Sequence, residues 1–159
     1  MPEMTVRPAA VADLVAMTDL AEARRRRYAD DQPVFWRPSA DAREQHRRYL
    51  AALISDASTL ALVAVRRGAV AGFAIGRLTS APPVYDPGGP TCTVDDFTVE
   101  DPGEWASVGI ALLSAVRAEA RRRGAVQIVV VCGHLDHAKR SLLAEGGLTI
   151  ASEWWVTPL

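Results

Sequence analysis

The segment from Val94 to Leu113, VDDFTVEDPGEWASVGIALL, constrains the fold more than any other part of the chain. A short strand from Asp95 to Val99 runs into a Pro-Gly break at Pro102 and Gly103, and an amphipathic helix follows at once. A strand that stops where a helix begins demands a layered fold, with the helix packed back on the sheet. It also leaves a row of first-turn N–H groups without partners at the strand end. Those groups carry roughly half a positive charge and suit a bound phosphate.

The rest of the pattern fixes what surrounds that unit. A strand around Val6 ends at Arg7-Pro8, and a helix follows with Leu14, Met17, Leu20 and Ala21 at helical spacing. Its end carries the basic run Arg24 to Arg27, which reads as a solvated helix terminus complementing the dipole or as part of a binding site. After a loop with Pro33 and Pro38, Ser39 is a plausible N-cap for a second helix whose apolar face is Tyr49, Leu50, Leu53 and Ile54. From Thr59 the period changes to two, and TLALVAV, Arg66-Arg67-Gly68 and AVAGFAIGRL form a hairpin. An irregular loop, SAPPVYDPGGPT, leads into the strand-break-helix unit, whose helix stops at Gly124. Val126 to Val131 is a continuous apolar strand, expected to be buried on both faces. A short helix from Asp136 to Ala144 stops at Gly146-Gly147, and LTIASEWWV reads as a closing strand. The predicted class is therefore α/β: a mixed, mostly antiparallel sheet with helices on both faces, in a single domain over residues 1–159.

Bulk properties narrow the function classes. The net charge of −1 offers no general attraction to nucleic acid or an anionic membrane, and the two arginine runs, Arg24 to Arg27 and Arg121 to Arg123, carry no interleaved aromatic residues to stack bases. No apolar run approaches the roughly 20 residues of a membrane span, and the N-terminus has no signal pattern. Cys92 and Cys132 are too few for a disulfide framework or a four-ligand zinc site, so both are expected to be reduced thiols and no metal site is expected. The expected location is the cytoplasm.

The element order and several motifs resemble the GCN5-related N-acetyltransferase family over nearly the whole chain. VRPAAVADL resembles the family's opening of strand, Arg-Pro and a helix near an Asp-Leu pair. Asp95-Asp96-Phe97-Thr98-Val99 resembles its cofactor-binding strand, and Gly109 with Leu112-Leu113 falls, without a gap, on the end of its cofactor motif. DHAKRSLLAEGGLTIASEWW resembles the last segment, with Gly147-Leu148 in place of Gly-Phe. The departures are specific. Glu104 stands where the family has Arg or Gln, Trp105 where glycine is frequent, Ser107 at the first required glycine, and Leu143 where many members carry a tyrosine.

The resemblance implies an acyl-CoA N-acyltransferase fold with acetyl-CoA, or another acyl-CoA, as cofactor. It implies that the cofactor lies in a V-shaped opening between the fourth and fifth strands. Phe97, Thr98 and Val99 would offer main-chain groups there, and Glu104, Trp105, Ala106, Ser107, Val108, Gly109 and Ile110 would form the turn that holds the pyrophosphate. Backbone donors tolerate side-chain change, whereas a missing glycine limits how closely backbone approaches phosphate. Transfer to an amine, by direct attack in a ternary complex, needs a base. The candidates are Asp95 and Asp96, expected to face opposite sides of their strand, and His134 beyond the fifth strand. Tyr28, Phe35 and Trp36, together with Tyr85, are candidates for an acceptor pocket or for a dimer contact. The expected partner is a small-molecule or protein amine, with a homodimer suggested by the tryptophan-rich end. The alternative is a non-catalytic binding or dimerisation module. An enzyme should have an open, polar cleft beside Val99; a module should have it plugged, with Trp105 the obvious plug.

Overall fold

The computed structural model describes residues 3–159. It contains β1 (Met4–Pro8), α1 (Leu14–Asp31), α2 (Ala42–Ser55), β2 (Thr59–Arg66), β3 (Ala69–Thr79), β4 (Thr91–Val99), α3 (Val108–Arg122), β5 (Gln127–Val130) and α4 (His137–Glu145). The five strands form one sheet in the order β1-β2-β3-β4-β5. Neighbours are antiparallel except β4 and β5, which run parallel. This is the mixed sheet that the pattern predicts. Among the described residues, no helix is long and apolar enough to cross a membrane.

Two cores separate the helices. On one face Leu14, Met17 and Ala21 of α1 and Leu50 and Leu53 of α2 pack on Val63, Phe73 and Ile75. On the other, Val108, Leu112, Leu113 and Val116 of α3 and Leu142 of α4 pack on Leu62, Ala74, Val94, Phe97 and Val99. β2 and β3 thus feed both layers through their period of two. The Arg-Pro and Asp-Leu opening is held by one contact. Arg7 makes a two-pronged ion pair with Asp13, at 2.7 and 2.9 Å, and Asp13 also accepts from the Ala10 N–H at 2.8 Å. The β2–β3 hairpin closes through Arg67 and Gly68 with φ of 53° and 78°, the geometry that a two-residue hairpin turn requires.

Three expectations are corrected. The closing strand does not form: beyond Gly147 the chain has no regular structure, and Trp154 and Trp155 are 82% and 89% exposed. Without that neighbour β5 lies at the sheet margin. It is short and half exposed rather than buried on both faces, with Val129 40% exposed. Thirdly, α3 does not begin directly at the Pro-Gly break. Residues Pro102–Ala106 form a 3-10 turn first, capped by Asp101 accepting from the Gly103 N–H at 2.8 Å.

Candidate active site

The β3–β4 ladder slips by one residue. Ile75 faces Asp96 and Gly76 faces Val94, so Asp95 has no opposite number. This bulge breaks the alternation of β4, because Val94 and Phe97 both enter the α3 core although they are three positions apart. Asp95 and Asp96 therefore turn to the same face, that of α1 and α2, rather than to opposite sides. The two are nonetheless held differently. Asp96 is 6% exposed and accepts from Arg24 and from His46 Nε2, the latter at 2.9 Å. Burial alone would raise its carboxyl, but His46 and Arg24 outweigh burial and hold it far below the usual carboxylate range. Arg25 donates to His46 Nδ1 at 2.6 Å, which leaves the ring proton on Nε2, directed at Asp96. Asp95 is more open. It pairs with Arg77 at 3.1 Å and lines a cavity of about 300 Å³ beside α1.

That cavity lies between the C-terminal half of α1, the loop before α2, the middle of β4 at Asp95 and the residue after β5, Val131. Tyr28, Phe35 and Trp36 form one wall, with Tyr28 and Trp36 rings 5.2 Å apart and Phe35 edge-on to Trp36 at 4.6 Å. The structure brings these three candidates together. Tyr85 does not join them. It is 71% exposed at a separate cavity of about 520 Å³ that also includes Asp86, Gln127 and Val129. His134 is exposed in the loop after β5 and does not line the first cavity.

The opening between β4 and β5 is present. Their ladder ends at Val94 and Val130, with a last bond from the Val131 N–H to the Val94 carbonyl at 2.9 Å, and β4 continues alone to Val99. Lys139 of α4 occupies it. Its Nζ donates to the Phe97 carbonyl at 2.9 Å and sits 5.2 Å and 5.5 Å from the centres of the Phe97 and Trp105 rings. Lys139 is 1% exposed, and burial, reinforced by the charge on Arg24, brings its amine down to about 8. Trp105 does not itself cross the opening. It is buried edge-on against Phe97 at 4.9 Å and forms the floor on which Lys139 rests.

The turn before α3 is also occupied by the chain itself. Glu104 forms an ion pair with Arg66, and the Ser107 N–H donates to the Glu104 carbonyl at 3.0 Å. Ala106, Ser107 and Ile110 are exposed, whereas Thr98, Val99, Val108 and Gly109 are buried. Gly109 is needed for packing: a Cβ there would lie 2.6 Å from Trp105 Cε3 and 3.0 Å from Leu142 Cδ2.

His46, Lys139 and Arg66 have a place in the site that the motif reading misses, and Arg24 and Arg25 are the members of the basic run that turn inward to it. Three of them carry a readable signal. Met17, Ala21, Arg24 and Tyr28 share one stripe of α1; His46, Leu50 and Leu53 share one of α2; Lys139 and Leu142 share one of α4. A polar residue on an otherwise apolar stripe is carried inward with it.

No family model and no curated protein sequence matches the chain. Solved structures do match, over nearly full length. A GCN5-related N-acetyltransferase from Ralstonia eutropha JMP134 superposes with a TM-score of 0.76 at 21% identity, covering 99% of both chains. The chain has the fold of the GCN5-related N-acetyltransferases. A predicted acetyltransferase from Clostridium acetobutylicum, solved with acetyl-CoA, gives a TM-score of 0.72 at 18% identity over 98% of this chain and 96% of the other. An aminoglycoside N-acetyltransferase solved with CoA gives 0.73 at 12% identity over 100% and 96%. Against that N-acetyltransferase fold, the local residues fit an acyl-CoA unevenly. The lone edge of β4 past Val94 suits main-chain pairing, but only with the Lys139 amine moved away. The turn at Glu104 has neither the basic side chain nor the open glycine approach that pyrophosphate favours.

Proposed function

We propose that the chain is an N-acyltransferase that uses an acyl-CoA donor and an amine acceptor. The observation that carries this reading is the junction of two spaces: the unpaired edge of β4 and the aromatic cavity meet at Asp95 and Lys139. Donor and acceptor sites must adjoin in this way for direct transfer. Bound acyl-CoA would supply an activated thioester, held along Phe97 to Val99 and at the first turn of α3. Lys139 acts as a displaceable occupant of that edge. Its amine is buried at a cost, and moving it to water relieves that cost. Asp95 is the aspartate able to receive a proton from an acceptor amine, because it lines the cavity while Asp96 is locked by Arg24 and His46. Exposed His134 lies outside the cavity and has no part in this reading. A homodimer is supported by the unpaired outer edge of β5 together with exposed Trp154 and Trp155.

The Lys139–Phe97 bond favours a second reading, a binding module whose donor site is permanently closed. Titration calorimetry with acetyl-CoA separates the two on wild-type protein and Lys139→Ala. Micromolar binding by the wild type supports the transferase. Binding by Lys139→Ala alone supports the closed module. No binding by either folded protein overturns the donor site altogether.

A further inference from the structure

The cavity beside α1 has an unbalanced charge. Arg24, Arg25, Arg37 and Lys139 line it, and Asp95 is the acidic residue among its lining groups. Asp95 is already engaged by Arg77, which lies outside the lining, and Arg24 is balanced by Asp96. Arg25 donates to a ring nitrogen of His46 rather than to a carboxylate, and Lys139 donates to a main-chain carbonyl. Among the described residues Arg37 is in no ion pair. Three cations thus reach one small space without a carboxylate of their own.

A second observation shows an unused donor. Arg24 Nη1 is buried and has no hydrogen-bond partner. A buried guanidinium nitrogen left in this state costs free energy that an incoming oxyanion would return. Burial, and after it the charge on neighbouring Arg24, lower Arg25 below its ordinary value. Guanidinium forks match carboxylates in both geometry and charge. Tyr28, Phe35 and Trp36 line the same space and offer flat apolar surface beside these cations. At about 300 Å³ the space is at the small end of ligand pockets.

We propose that this cavity takes a small aromatic carboxylate, so that the acceptor is an amine carrying an aromatic group and a carboxylate. The carboxylate meets Arg24, Arg25 and Arg37, the ring lies against Tyr28 and Trp36, and the amine is left on the side of Asp95. The identity of the acceptor rests on the transferase reading; occupancy of the cavity by the anion does not.

Binding without any acyl donor tests it. Titration calorimetry on the full chain compares 3-phenylpropionate with its neutral amide, 3-phenylpropanamide, and with the cation phenethylamine. The expected result is binding of the carboxylate at least tenfold tighter than either control, weakening as salt is added. Arg25→Gln and the exposed-site variant Arg37→Gln should each weaken it by about tenfold, with circular dichroism unchanged. Equal affinity for carboxylate and amide, tighter binding of the amine, or no binding at millimolar ligand would each overturn the proposal. Acetyl-CoA binding without 3-phenylpropionate binding leaves the transferase reading standing and removes this one. The converse removes the donor and keeps the anion pocket.

Discussion

The Tyr28 hydroxyl joins α1 to the loop after β5, donating to Asp136 at 2.7 Å while accepting from the Gly133 N–H at 3.2 Å. Asp136 in turn caps α4 through the Lys139 N–H at 3.3 Å, so one phenol positions the helix that carries the buried lysine. Tyr28→Phe leaves the Gly133 N–H and Asp136 Oδ2 without this hydroxyl. It should cost about 1–3 kcal/mol in urea unfolding and loosen α4 in hydrogen exchange. Gly133→Ala should destabilise by a similar amount, about 1–3 kcal/mol, because its Cβ would stand 2.8 Å from Tyr28 Cζ. An unchanged denaturation midpoint in both variants would show that this link holds nothing.

Lys139 gives the fold a dependence on alkaline pH. Its amine titrates at about 8 in the folded chain and near 10.5 when unfolded, so between those values the unfolded state holds the extra proton. Stability therefore rises with pH across that window, by about 3 kcal/mol in total. Lys139→Met keeps the shape and removes the charge. The difference in unfolding free energy between wild type and Lys139→Met should shift in favour of wild type from pH 8 to pH 10.5. A constant difference would mean that the amine is solvated in the native state.

Asp96 acts at the other end of the scale. Its carboxyl is held below the ordinary 3.8, so the stability it contributes is complete above that value and is lost as acid titrates the folded carboxylate. Asp96→Ala leaves Arg24 buried without its partner and should cost about 3–5 kcal/mol at neutral pH. Thermal unfolding of the two proteins should converge as pH falls below 3.8. Persistence of the full gap in acid would assign the loss to packing instead.

Gly109 lies inside α3, where alanine is intrinsically favoured by about 1 kcal/mol. Gly109→Ala should nonetheless destabilise, since the new methyl would meet the Trp105 ring at 2.6 Å. Trp105→Leu should relieve that clash, so the double variant should be more stable than the sum of the two single losses. Simple additivity in a double-mutant cycle would refute the contact.

The order of strands and helices is legible in the sequence because each period is long enough to read, from the α1 stripe of Leu14, Met17 and Ala21 to the β2–β3 alternation. The bulge at Asp95 is not. A single unpaired residue carries no composition of its own, yet it reverses the face of every side chain after it, and with it the roles of the two aspartates. The closing segment misleads for a different reason. Its β-favouring residues meet the local requirement for a strand, but strand formation needs a partner, and Trp154 meets Phe35 edge-on at 5.9 Å rather than joining a ladder. Lys139 is obscured by chemistry: a lysine on a short helix reads as surface until its register with Leu142 is taken seriously.

The packing at Gly109 bears on how such chains are compared. The resemblance to a phosphate-binding motif rests on Gly109 as its glycine, but here a neighbouring indole is enough to disfavour any larger residue. The same letter would then be retained in a lineage that had given up nucleotide chemistry entirely. Counting surviving glycines overstates kinship of activity wherever a tryptophan has moved in beside them; the pair, read together, is the more faithful character.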